Sequence, residues 1–318
     1  PRKNCRTILR RTGLEKQMGF IWEKISYQGK EAAQINGYEG KIPDLVIPEK
    51  IEGLQVRSIA AHAFSGRNDI RSAVLPESLV TLRPFAFYNC PELKTMYNTT
   101  DDYYDGVIRQ CPCLREIAVH CVRPENYVIV RSMLQDVDVT LMFRLLDPEE
   151  TERIRLTFPE YVNEAKEHTM ARAIHFSIEG AGMAYRECVG KKALDLAGYD
   201  RLLGRLTDYD FDVAAQIAFG RLLYPEGLSE TAREGYEAFL RENDGKALRY
   251  LIHEDERRSC VPETRLMTER GLIGENGLDA ALKEAADQGR TGLCSILMEY
   301  RGSLRESGNG AAALSLEW

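Results

Sequence analysis

The chain repeats itself at a spacing of a little over twenty residues. Ile59-Ala60-Ala61-His62-Ala63-Phe64 returns 23 residues later as Leu82-Arg83-Pro84-Phe85-Ala86-Phe87, and Ile70 returns as Leu93 at the same offset. Cys90-Pro91-Glu92-Leu93-Lys94-Thr95-Met96 comes back as Cys111-Pro112-Cys113-Leu114-Arg115-Glu116-Ile117, 21 residues on. Leu45-Val46-Ile47-Pro48-Glu49 is echoed by Val74-Leu75-Pro76-Glu77, an offset of 28 that Glu52-Gly53-Leu54-Gln55-Val56 accounts for by adding five residues. A fixed period of this size means that each unit is one supersecondary piece stacked on its neighbours.

Elementary packing explains the unit. Ile70, Ala73 and Leu75 point inward from a short strand while Ser72 and Val74 point out, because successive strand residues alternate faces. Proline ends the strand, since it has no N–H for the ladder. Leu79 and Leu82 turn back under it, and the Ala-Phe pair fills the outer corner. A single unit buries too little apolar surface to offset the entropy of ordering it, so neighbouring units must share one core. The competing architecture, an ordinary β-sandwich with even strand spacing, does not require Ile-Pro, Ala-Phe and Cys-Pro-x-Leu to return together.

These residues resemble the BspA-type (treponemal) leucine-rich repeats of bacteria. The carriers are Ile47-Pro48, Gly53, Val56, Ile59, Ala63-Phe64, Ile70, Leu75-Pro76, Leu82, Ala86-Phe87, Cys90 and Leu93, led in by Ile35-Asn36-Gly37-Tyr38-Glu39-Gly40. The likeness covers about a quarter of the chain. It departs in the third unit, from Tyr97 to Val119, where Asp101-Asp102-Tyr103-Tyr104-Asp105 is expected at the Ala-Phe corner and the array to degenerate toward a cap. The resemblance implies a solenoid that binds macromolecules through its strand face. The outward strand positions are Asp44 and Val46, Ser72 and Val74, Thr95 and Tyr97, Glu116 and Ala118. Tyr97 is the strongest single candidate, because Tyr is enriched in interfaces. The alternative is that all eight are merely solvated positions on a small sheet.

Phe20, Trp22, Ile25 and Tyr27, with turns at Gly29 and Gly37, predict one or two strands covering the N-terminal end of the solenoid core. Beyond Val122, a short helix is expected within Pro124 to Met133. Val139, Leu141, Phe143 and Leu145 then alternate with Thr140, Met142 and Arg144, and Ile154, Leu156 and Phe158 with Arg153, Arg155 and Thr157, about a turn at Asp147-Pro148-Glu149-Glu150. This pattern reads as a β-hairpin with one buried face that closes the solenoid. From Leu206 the pattern is helical. Ser229 and Pro262 sit at helix starts, Gly271 and Gly289 at helix ends. Ala285-Ala286-Asp287-Gln288-Gly289, followed by Leu293, Ile296, Leu297 and Glu299, is similar to the paired helices of ankyrin repeats, although the Thr-Pro-Leu-His signature is missing.

The expected class is therefore α+β: cap strands over 1–42, a leucine-rich-repeat solenoid over 43–121, a cap or linker with a β-hairpin over 122–204, an ankyrin-like helical-hairpin array over 205–302 and a loose tail over 303–318.

The chemistry that a catalyst needs is not legible. There is no Gly-x-Ser-x-Gly elbow, P-loop, His-Glu-x-x-His or dinucleotide glycine signature. Cys111, Cys113, His120 and Cys121 cluster in sequence, but repeat slots explain them: Cys111 takes the place of Cys90 and Cys113 that of Glu92. Asp208-Tyr209-Asp210-Phe211-Asp212 mimics the start of a calcium loop, yet Val213 and Phe219 stand where Gly and Glu are required, so a helix cap is the reading. No cofactor or metal is expected. An unrecognised active site would have to lie in 158–199, around His168, His175 and Cys188.

The net charge of −7 over 318 residues disfavours a nucleic-acid partner. No stretch approaches the ~20 apolar residues that span a bilayer, which argues against membrane insertion. The basic start lacks the apolar core of a signal peptide. The eight cysteines are scattered rather than arranged as a disulfide framework. The expectation is a cytoplasmic, non-enzymatic scaffold of a bacterium that binds a protein partner, with a secreted or cell-surface adhesin as the alternative.

Overall fold

The computed structural model describes residues 19–98, 102–120, 127–147, 149–168, 173–206 and 210–314. The chain divides into two compact units, Pro1–Arg205 and Leu206–Trp318.

The first unit is a leucine-rich-repeat β-solenoid of about five turns. Its strands are β1 (Phe20–Tyr27), β2 (Lys30–Tyr38), β3 (Asp44–Val46), β4 (Lys50–Ile51), β5 (Leu54–Ile59), β6 (Ser72–Val74), β7 (Thr81–Leu82), β8 (Thr95–Asn98), β9 (Asp102–Tyr103) and β10 (Glu116–His120). Helix α1 (Val128–Asp136) follows, then β11 (Leu141–Leu146) and β12 (Glu152–Phe158). Each turn contributes one strand to each of two sheets, ordered β1-β2-β5-β7-β9 and β12-β11-β10-β8-β6-β3. β1 pairs antiparallel with β2 and forms the expected N-terminal cap; the rungs from β2 onward in that sheet are parallel.

Between the sheets runs one continuous core. Leu45, Ala73, Met96, Ile117 and Phe143 follow one another from turn to turn and are at most 2% exposed. Phe64 and Phe87 stack with centroids 5.0 Å apart and planes inclined by 17°. The corners are held by backbone hydrogen bonds between turns: Phe64 N to Ala86 O at 2.8 Å, Gly66 N to Tyr88 O at 2.8 Å, Phe87 N to Val107 O at 2.8 Å and Asn89 N to Arg109 O at 2.9 Å. The sharp corner needs left-handed backbone at the same two places in every turn. His62, Phe85 and Gly106 supply one column (φ +59°, +60°, +71°), and Gly66, Asn89 and Gln110 the other (+73°, +54°, +61°). Glycine and asparagine take this conformation at little cost, whereas Phe85 holds it against its own preference.

Two expectations about the array need correction. The third corner is filled by Val107 and Ile108, both fully buried, and not by the acidic run. Asp102 and Tyr103 belong to β9, and Asp101 lies outside the described residues. Nor does the array end with β10. β11 lies parallel and in register with it, as a further rung, and only β12 turns back antiparallel. The hairpin therefore closes the solenoid by extending its sheet.

Residues beyond β12 cap the last rung. The hairpin β13 (Val162–His168) and β14 (Ala173–Glu179) precedes α2 (Gly182–Glu187) and α3 (Leu196–Arg201). Tyr185 and Tyr199, fully buried from these two helices, meet edge-to-face at 4.8 Å, and Tyr199 packs on Phe158 at 5.9 Å. The guanidinium of Arg186 is buried among carbonyls. It donates to Pro159 O, to Gly182 O at 3.1 Å and to Val139 O at 2.8 Å, and lies 4.8 Å from the Tyr161 ring. Burial draws its pKa down to about 10.

The second unit is a stack of helical hairpins: α4 (Phe211–Leu223), α5 (Glu230–Glu242), α6 (Asp244–Glu254), α7 (Val261–Glu269), α8 (Glu275–Asp287) and α9 (Thr291–Leu314). α6 packs on α8 and α7 on α9, first helix on first and second on second, the ankyrin-like arrangement. Local signals set the helix ends. Ser229 Oγ accepts from Ala232 N, and Gly271 and Gly289 stop α7 and α8 at φ +60° and +67°. Residues 303–314, expected as a loose tail, are instead helical, forming the C-terminal half of α9; residues 315–318 lie outside the described part.

Candidate interaction surface

In-register parallel pairing turns the outward strand positions into rows. Asp44, Ser72, Thr95, Glu116 and Met142 stand side by side, and Val46, Val74, Tyr97, Ala118 and Arg144 form the next row. At ~4.8 Å per rung, five strands make a face about 19 Å across. The eight residues expected on this face all lie in these two rows. Met142 and Arg144 were missed. Ile117-x-Val119 does return as Phe143-x-Leu145 26 residues on, but an alternating strand beside a turn reads first as a local hairpin.

The two rows differ in character. Asp44 and Thr95 are exposed, and Ser72, Glu116 and Met142 are half-buried. In the second row Tyr97, Ala118 and Val46 are only 6–8% exposed. Tyr97 and Ala118 form an apolar cluster with Leu146 on the same face, and half-buried Val74 packs against it. Tyr97, the leading candidate for direct contact, is thus the floor of the face, while Thr95 beside it is the accessible group.

Polar pairing fixes the rim. Ser72 Oγ donates to Asp44 Oδ1 at 2.7 Å. At the other end Arg144 bridges Glu116 (3.0 Å) and Glu152 (2.9 Å), and Arg155 reaches Glu152 at 2.6 Å. Burial disfavours the Glu152 carboxylate, but the Arg155 hydrogen bond and the charges of Arg155 and Arg144 outweigh it and lower its pKa.

In the helical unit a separate cleft of about 530 Å³ is lined by Phe211, Lys246, Arg249, Tyr250, His253 and neighbouring charged residues. Several of its basic groups have acidic neighbours within the unit. Glu284 lies 3.5 Å from Arg249 and 3.1 Å from His253, and Glu254 lies 3.4 Å from Arg257.

Of the three residues around which a hidden active site was sought, the side chain of Cys188 is described. Cys188 donates to Ala184 O at 3.5 Å, and burial pushes its thiol up to about 11, so it is protonated at neutral pH. His168 and His175 lie on the paired strands β13 and β14, and their side chains fall outside the described part. Among the described residues no group of three or more His, Cys, Asp or Glu is arranged to hold a metal; Cys121 is not among them. No described helix is long and apolar enough to cross a membrane.

No protein-family model matches the chain, and no curated protein does. Solved structures similar to it include a leucine-rich repeat protein from Bacteroides ovatus ATCC 8483, with 19% identity over 34% of this chain and 34% of that one and a TM-score of 0.27. A leucine-rich cell surface protein from Faecalibacterium prausnitzii A2-165 has 22% identity over 33% of this chain and 27% of that one, with a TM-score of 0.22. A leucine-rich repeat protein of T. pallidum has 21% identity over 30% of this chain and 57% of that one, with a TM-score of 0.24. The chain thus matches between about a quarter and just over half of the length of these relatives.

Proposed function

We propose that this chain is a non-enzymatic bacterial scaffold that binds a protein partner through the outward face of the five parallel strands, with Thr95 at the centre of the contact. The observation that carries this reading is the two-row surface itself. An apolar strip of Val74, Tyr97, Ala118 and Leu146 lies beside a polar row whose ends are fixed by hydrogen bonds and ion pairs. Interfaces of modest affinity have this make-up, an apolar centre beside a polar rim. A partner that covers Thr95 gains the strip's edge without the cost of ordering the rim.

The helical array is the second surface of this proposed scaffold. A cytoplasmic location belongs to the same proposal; the surface-adhesin alternative is separated from it by proteolytic shaving of intact cells, which degrades an adhesin and spares a cytoplasmic chain.

The test is affinity capture from native lysate with the wild-type chain, Thr95→Arg and Glu234→Lys, the last a control at an exposed position of α5. The expected result is a protein retained by wild type and control, lost with Thr95→Arg, at unchanged thermal stability of all three chains. Retention of the same proteins by all three removes the strand face from the reading.

A further inference from the structure

Cys90 and Cys111 occupy the same slot in neighbouring turns of the solenoid. Each stands five residues before its strand, β8 and β10 respectively, and is followed by proline. Each carbonyl accepts from a leucine N–H three residues on, Leu93 at 3.2 Å and Leu114 at 3.1 Å. Each thiol donates to a carbonyl one turn back, Cys90 to Phe64 O at 3.1 Å and Cys111 to Phe87 O at 3.2 Å. The two sulfurs are therefore stacked one turn apart along the solenoid. Adjacent turns lie ~4.8 Å apart, inside the roughly 4.4–6.8 Å between Cα atoms that a disulfide spans. Both cysteines are free.

The two differ in access. Cys111, itself only 2% exposed, lines a cleft of about 340 Å³ with Asn89, Pro91, Gln110, Pro112 and Val139, whereas Cys90 is fully buried and does not line it. The cleft lies where the third corner meets the chain leaving α1.

We propose that Cys111 and Cys90 form a peroxide-responsive pair, Cys111 the sulfur that meets a hydroperoxide in the cleft and Cys90 the resolving thiol, which together close a disulfide between two turns of the solenoid. The Cys111 thiolate attacks one oxygen of the hydroperoxide, the O–O bond breaks, and the other oxygen leaves as alcohol or water with a proton from solvent, which gives a sulfenic acid at Cys111. The Cys90 thiol then attacks that sulfur, and the sulfenic hydroxyl departs as water with the Cys90 proton. Two thiols are oxidised by two electrons and one hydroperoxide is reduced by two. The assignment of roles fits the thiol chemistry: the adjacent Cys90 thiol draws the Cys111 pKa below its ordinary value despite burial, while the adjacent Cys111 and burial raise that of Cys90. The bridge ties the turn leading into β8 to the turn leading into β10, and so fixes the rungs that carry Tyr97 and Ala118. This role stands whether or not the strand face binds a partner.

The full-length reduced chain is treated with a modest excess of hydrogen peroxide, quenched, alkylated in denaturant and mapped by mass spectrometry. The expected result is a dithiothreitol-reversible cross-link between the Cys90 and Cys111 peptides, formed faster in the folded chain than in urea, with a higher thermal midpoint. A Cys113→Ser chain forms the same link. A Cys90→Ser chain accumulates a dimedone-reactive sulfenic acid at Cys111; if that variant does not fold, the wild-type map decides alone. The proposal is overturned if Cys90 and Cys111 are both recovered alkylated, if the link goes to Cys113 instead, or if it forms as fast in urea.

Discussion

The Tyr103 hydroxyl donates to Asp136 Oδ2 at 2.6 Å, and the same carboxylate, 3% exposed, accepts the backbone N–H groups of Gly106 at 3.0 Å and Ile108 at 3.4 Å. In the two turns before it the equivalent N–H groups find the next turn, as His62 N finds Pro84 O and Phe87 N finds Val107 O. Among the described residues no corner follows Ile108, and a side chain from the end of α1 takes the place of the missing carbonyls. Asp136→Ala leaves two buried donors and a phenol unmatched. At about 1–3 kcal/mol for an unmatched buried group, the expected loss is about 3 kcal/mol in urea unfolding. Asp136→Asn, with one acceptor oxygen left, loses about half as much. An alanine variant within experimental error of wild type removes the capping role.

Asp69 is the strongest candidate for an acid-sensitive group. Arg67 contacts it through Nε and Nη2, both at 2.7 Å, Ile42 N donates to it at 2.7 Å, and the Arg67 guanidinium also holds Tyr38 O and Gly40 O. The Arg67 hydrogen bond, against the penalty of burial, holds the Asp69 pKa far below the usual carboxylate range. A depressed folded-state pKa means that the stabilisation is fully present above the unfolded value of about 3.9 and is lost as pH falls from there toward the folded value. Asp69→Asn should cost about 2 kcal/mol at pH 7, the scale of charge-assisted hydrogen bonds. The gap should narrow steadily below about pH 4. Urea midpoints of both chains at pH 7 and pH 3 check this; a gap that widens in acid has the wrong sign.

How much of this was legible beforehand depended on whether a residue's role repeats. Phe64 and Phe87, and the rows from Asp44 to Glu116, lie at the 21-, 23- and 28-residue offsets of the sequence echoes, and the structure stacks them accordingly. Val107 and Ile108 do the same work with different side chains, so matching by residue type passed over them and settled on the acidic run nearby. β11 was read as half of a hairpin because its alternation serves a parallel rung and a local turn equally well. The exposure of Tyr97 was misjudged, since strand alternation gives the face a residue points to, not what packs over it. The cap helices α2 and α3 were opaque for a further reason: Tyr185, Arg186 and Tyr199 act only through contacts with β12 and the chain around Val137–Tyr161, far off in sequence. The second unit was easier, because helix caps and glycine stops are local.

Gly106 and Gly53 separate backbone strain from crowding. Both have left-handed backbone, at φ +71° and +84°. A Cβ on Gly53 meets nothing within 4 Å, whereas one on Gly106 runs into the ring of Phe85, the residue one turn back in the same column. Gly53→Ala should therefore cost about 1 kcal/mol, from backbone strain alone. Gly106→Ala adds the displacement of an aromatic ring, and about 3 kcal/mol is expected once overpacking joins the strain. Equal losses in parallel urea titrations contradict the ring's involvement.

Tyr199 and Tyr185 make the sharpest pair for testing the cap. β12 is the last strand of its sheet, and an open edge exposes unpaired backbone groups. The Tyr199 hydroxyl accepts from Thr157 N at 2.9 Å and donates to Thr157 O at 2.6 Å, so one phenol closes both groups of that residue. The neighbouring Tyr185 hydroxyl is equally buried and has no hydrogen-bond partner among the described residues. The two Tyr→Phe changes keep the stacked rings and differ only in what the lost oxygen was doing. Tyr199→Phe should cost about 2 kcal/mol and speed amide exchange at Thr157, because two buried backbone groups lose their match. Tyr185→Phe should be neutral or slightly stabilising, because it removes an unmatched polar atom. If both variants lose the same stability, the phenol is not what closes the edge, and packing of the aromatic rings alone holds the cap in place.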